Sequence, residues 1–177
     1  RAEEEVKRLL KEDNETLKRI EDDVRRLLRK NNESIREAEK TNRELVKRVE
    51  DIIRRARERG VDESVLADLR RVLKELKEES DKVLDELRKL NEKLREEVRE
   101  LKRELDEENK ELDREIKEGQ PLEELLERIK ELNERTKKKV ADLRRVAKRL
   151  DEETERKVRE TERRWRDVLD KVRKKVK

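Results

Sequence analysis

Apolar residues recur along this chain in steps of three and four, separated by Glu, Lys and Arg. Val6, Leu9, Leu17, Ile20, Val24 and Leu28 form one such run; Leu66, Leu69, Leu73 and Leu76 form another, and Leu125, Ile129 and Leu132 a third. Steps of this kind return side chains to one face of an α-helix and place about two apolar residues in each heptad. The resulting stripe can face two neighbouring helices. It leaves almost no second apolar face for a membrane or a broad partner surface.

The pattern breaks twice, each time at a glycine. In Arg59-Gly60-Val61-Asp62, Gly60 suits the left-handed position past a helix end, and Asp62 suits an N-cap with Glu63 in the next first turn. In Gly119-Gln120-Pro121, glycine again follows one helix, and proline opens the next. The breaks predict helix 1 over residues 2–59, helix 2 over 62–118 and helix 3 over 121–176, each about 57 residues long. Connections this short force consecutive helices to run antiparallel. The expected fold is all-α: one antiparallel, up-down-up three-helix coiled-coil bundle spanning residues 1–177. A solitary helix held by ion pairs is disfavoured by both the glycine breaks and the stripe.

The stripe has gaps, filled by short polar residues. Folding at the glycines places residue i of helix 1 near about 122 − i of helix 2 and about i + 120 of helix 3. That map gathers Asp13, Asn14, Asn109, Asn133 and Thr136 into one layer. It gathers Asn31, Ser34, Asn91 and Thr154 into a second, and Thr41, Asn42, Ser80 and Thr161 into a third. Each is expected to be a buried hydrogen-bond network crossing all three helices, with Asn14 meeting both Asn109 and Asn133, and Asp13 capping an edge. A buried polar group without a partner costs about 1–3 kcal/mol. A misregistered bundle strands several such groups at once, so the layers favour a single pairing.

Composition narrows the chemistry. Charged residues make up 60% of the chain and apolar ones 29%, with two glycines and one proline; with this periodicity, the mixture is that of long helices, not of disorder. Cysteine and histidine are absent, which removes thiolate chemistry, the commonest general base and the Glu-x-x-His metal site of helical bundles. Acid pairs such as Glu107/Glu108 and Glu152/Glu153 lie among Lys and Arg, where no cleft shifts their pKa. No glycine-rich phosphate loop occurs. The chain is therefore expected to be no enzyme and to need no cofactor or metal. No apolar run approaches about 18 residues and no signal-peptide core is present, so a soluble chain, expressed in the cytoplasm, is expected. Its opening on Arg1, without methionine, suggests that an initiator or leader is missing.

The net charge of +4 hides a contrast: residues 1–59 carry +3, residues 61–118 carry −6 and residues 121–177 carry +7. An acidic middle helix between two basic ones suits mutual attraction. Lys137-Lys138-Lys139 and the C-terminal Arg173–Lys177 stretch are the strongest basic patches. The tail complements a helix dipole, and neither patch has an aromatic stacking platform. Specific nucleic-acid binding is not expected.

Equal helix lengths, glycine-terminated short loops, a Leu/Ile/Val core, repeated polar layers and the absence of Phe, Tyr, Met, His and Cys are joint features. Through them the whole chain resembles computationally designed helical bundles with buried hydrogen-bond networks. Natural three-helix coiled-coil repeats of the spectrin kind are the natural counterpart. The resemblance implies a scaffold, an oligomerising unit or a binding or switching module, with Trp165 as an absorbance handle filling a core or boundary position. The leading expectation is a thermally stable structural scaffold that requires no partner. The alternative is an interaction module: a self-associating unit, or a receptor for an added helical partner seated on doublets such as Leu9/Leu10, Leu27/Leu28 and Val83/Leu84.

Overall fold

The long uninterrupted stripe produces long uninterrupted helices. The computed structural model describes residues 1–177. It contains α1 (Ala2–Glu58), α2 (Glu63–Lys117) and α3 (Leu122–Lys175), packed against one another with no strands. No helix is long and apolar enough to cross a membrane.

Both glycines adopt the left-handed backbone that their positions require, with φ of 83° at Gly60 and 77° at Gly119. At the end of α1, the Gly60 amide donates to the Arg57 carbonyl, and the Val61 amide donates to the Ala56 carbonyl (both 3.1 Å). This crossed pair absorbs carbonyls that the helix leaves free. Val61 also packs on the apolar cluster that contains Ala56. The second corner repeats the bonds, from Gly119 to Ile116 (3.2 Å) and from Gln120 to Glu115 (3.1 Å). The α2 start is capped by Asp62, whose carboxylate accepts from the Ser64 amide at 3.2 Å. Pro121 precedes α3, and its carbonyl accepts the first helical bond, from Leu125. An added Cβ meets nothing within 4 Å at either glycine, so backbone strain alone opposes substitution. Gly119→Ala is expected to lower stability by about 1–2 kcal/mol, read from a shift in denaturation midpoint. No shift would mean that the left-handed turn is not held.

The helices supply two units, and each unit draws on all three. Unit 1 is Arg1–Arg29 with Glu92–Leu150; unit 2 is Lys30–Asn91 with Asp151–Lys177. Unit 1 has one apolar core, including Val6, Ile20, Val24, Leu94, Leu125 and Ile129. Unit 2 has two clusters. One is built on Val49, Leu66, Leu69, Trp165 and Val172, and a smaller one on Ile35, Ala38, Leu84 and Leu87.

Pairing within each unit sets the helix directions. In unit 1, Glu21 reaches Lys102 and Asn14 reaches Asn109, so α2 numbers fall as α1 numbers rise. Glu12 with Lys137 and Asp23 with Arg144 show α3 running the same way as α1. In unit 2, Asn31 pairs with Asn91 and Glu39 with Arg88, the antiparallel order again.

Two large apolar side chains do not join a core: Leu90 is 39% exposed and Val146 is 42% exposed. In each case a neighbour takes the inward position. The α2 seam steps from Leu87 to Asn91 to Leu94, all buried, and the residue before Asn91 is turned about 100° away from it. On α3 the seam steps through Leu143, Ala147 and Leu150, which leaves Val146 outside. Two isolated apolar side chains are ordinary for a protein surface.

Candidate functional site

The polar gaps in the stripe are the only positions where the chain invests chemistry in its interior. Asp13, Asn31, Asn42, Ser80, Asn91, Asn133, Thr136, Thr154 and Thr161 are all buried, at 6% exposure or less.

In unit 1 the buried centre is an acid–amide pair. The Asn133 side-chain amide of α3 donates to Asp13 Oδ1 of α1 at 2.7 Å, with Thr136 buried one turn further along α3. Asn14 is exposed and Asn109 half-buried, and the Asn109 amide donates to Asn14 Oδ1 at 2.8 Å. The expectation that Asn14 meets Asn133, with Asp13 at an edge, is therefore corrected. The α1 seam runs Leu9, Asp13, Leu17, in steps of four, so the acid takes the inward position. Asn14 lies about 100° around the helix. All three helices are linked, but through adjacent residues of α1 and not through one asparagine.

Burial leaves its mark on Asp13. Its carboxyl is pushed up to about 6, chiefly by removal from water; the Asn133 hydrogen bond and Lys137 oppose the rise, and Glu12 and Glu108 add to it. Its Oδ2 has no hydrogen-bond partner, and neither has the buried Oδ1 of Asn109. The space beside Thr136, also lined by Leu105, Glu108 and Leu132, is about 10 Å³, far below the several hundred cubic ångströms of a ligand pocket.

The second layer, in unit 2, is an amide ladder. Asn31 Nδ2 donates to Asn91 Oδ1 at 2.9 Å, and Asn91 Nδ2 donates to the Leu87 carbonyl at 2.8 Å. Thr154 is 1% exposed, but its hydroxyl has no partner, so this network joins α1 to α2 and does not cross to α3. Ser34 lies half-buried beside the seam, displaced by Ile35 in the inward position.

The third layer, also in unit 2, is not the connected network expected. Thr161 donates to the Lys157 carbonyl of its own helix at 2.9 Å, as hydroxyls in helices commonly do. The Asn42 amide nitrogen is buried without an acceptor, and Thr41 is half-buried beside it. Ser80 accepts instead from the indole N–H of Trp165, at 2.9 Å. The sequence reading missed that partner. Its signal was present: an indole N–H is donor-only and, once buried, requires an acceptor.

Around these layers run surface ion pairs. Those between α2 and α3 all set an α2 acid against an α3 base: Glu115 with Arg128, Glu108 with Arg135, Glu104 with Lys139 and Glu79 with Arg164. That is the polarity suggested by the segment charges. Between α1 and α2 the sense reverses, with Glu21 and Glu39 facing Lys102 and Arg88. Hydrogen bonds from Arg144 and Arg164 hold the Asp23 and Glu79 carboxyls below the usual carboxylate range. At these exposed positions each pair contributes little to stability. No group of three or more acidic side chains is placed to hold a metal ion.

No protein-family model, curated protein or solved structure matches the chain.

Proposed function

We propose that this chain is a designed structural scaffold: a monomeric bundle without catalytic or ligand-binding activity, whose buried polar residues select one helix register. The observation that carries the reading is the pairing of buried side chains between helices, Asp13 with Asn133 in unit 1 and Asn31 with Asn91 in unit 2. Each bond forms in one alignment and is broken by a slip of one turn, at about 1–3 kcal/mol per lost partner. The space beside Thr136 in the buried acid's layer is about 10 Å³, too small to admit a substrate, which supports the non-catalytic reading. Isolated exposure of Leu90 and Val146, without a surrounding apolar patch, supports the scaffold over a receptor for a further helix.

Sedimentation equilibrium tests it. A single 21.7 kDa species at every concentration is expected, with a cooperative thermal transition above the range of about 45–65 °C usual for mesophile domains. A discrete oligomer would replace the scaffold with a self-associating module.

A further inference from the structure

Asp13 is the only acid buried in the interior of unit 1. One oxygen takes the Asn133 amide at 2.7 Å; the other has no donor. No cation is bonded to it. Of the charged groups facing it, Glu12 on α1 is engaged by Lys137 of α3 at 3.4 Å, and Glu108 on α2 by Arg135 of α3 at 3.7 Å. The layer also holds a second buried oxygen without a donor, Oδ1 of Asn109, whose amide nitrogen is committed to Asn14, the residue next to Asp13. Two acceptors lack a donor in one layer, and a proton on Asp13 Oδ2 adds a donor to it.

We propose that Asp13 is a proton-operated latch: its protonated carboxyl donates from Oδ2 to close the polar layer of unit 1, and ionisation loosens that layer. This inference rests on the scaffold reading and adds a conformational response to it. A carboxyl raised from 3.8 to about 6 stays protonated in the folded chain over a pH range where the unfolded chain has already lost its proton. Folding therefore takes up a proton in that window. Stability due to this group is full below pH 3.8 and falls as pH rises towards 6, the reverse of a salt-bridged acid.

The test compares the full chain with Asp13→Asn, whose amide keeps an acceptor for Asn133 and supplies a permanent donor in place of the acid proton. Folding equilibria from denaturant titration are expected to match at pH 4. At pH 7.5 they should diverge by up to about 100-fold in favour of D13N, the equilibrium equivalent of two pH units. Exposed acids such as Asp23 and Glu79 are common to both chains and cancel. Hydrogen exchange in the first third of α1 should accelerate across the same window in the original chain beyond its intrinsic pH dependence, and not in D13N. Should D13N fail to fold, the carboxyl carbon of ¹³C-labelled Asp13 in the unmodified chain reads the latch directly, with a midpoint near 6 expected. A midpoint near 4, or parallel pH profiles for the two chains, overturns the latch. Neither outcome alters the sedimentation result, so the latch and the scaffold reading fail separately.

Discussion

Replacing Trp165 with alanine is expected to cost about 3–5 kcal/mol, the largest loss from any single side-chain truncation in this chain. Trp165 is the largest fully buried side chain, at 0% exposure, and sits among Leu69, Val172 and Leu169 in the main cluster of unit 2. A bundle seam of aliphatic residues has no neighbour that can swing into the space an indole leaves, so most of the cavity persists. Two further variants separate volume from hydrogen bonding. Trp165→Phe keeps most of the apolar volume and frees Ser80, whose hydroxyl can rotate to another acceptor, so a cost of about 1–2 kcal/mol is expected. Ser80→Ala leaves the indole N–H buried without an acceptor, a penalty of about 1–3 kcal/mol. Far-UV circular dichroism during guanidinium unfolding measures all three without relying on the indole as reporter. A loss below about 1 kcal/mol for W165A would place the ring at the surface.

Asn91 meets the partner that its sequence position predicts, and Ser80 does not. The helix ends were legible because Gly60, Gly119 and Asp62 each have one mechanical use at a corner. The register followed from loop length, and it placed Asn31 opposite Asn91 and set Asn133 against Asn14, one residue from its observed partner Asp13. Side-chain direction was less legible. Asp13 and Asn14 differ by one residue and by about 100° of rotation, and only a strict count of the Leu9–Asp13–Leu17 steps decides between them. The same count excludes Leu90 and Val146 from the seam. Hydroxyl partners were the least legible. A serine or threonine is satisfied by its own helix as readily as by a neighbour, as Thr161 is, so its presence in the core phase does not predict a bond between helices. The Trp165–Ser80 bond falls in the third layer at the register expected, but requires a donor-only group to be counted among the polar residues.

Removing the second polar layer altogether separates stability from specificity. Asn31→Leu alone removes the donor that Asn91 Oδ1 accepts from and should cost about 1–3 kcal/mol, because the lost partner leaves a buried polar atom behind. The triple variant Asn31→Leu, Asn91→Leu, Thr154→Val removes every fully buried polar side chain of that layer, including the Thr154 hydroxyl that has no partner. Its apolar replacements are expected to be neutral or stabilising by up to about 4 kcal/mol, as apolar substitutions of buried polar sets often are. What the triple variant loses is the penalty against a helix displaced by one turn. Leucine seams are tolerant of such displacement, so the variant should show broadened or doubled backbone amide signals in unit 2 and a reduced denaturant slope, despite an undiminished midpoint. Single, sharp signals in the triple variant would mean that loop length and core shape set the register by themselves. The amide ladder would then be a tolerated cost with no part in choosing the fold.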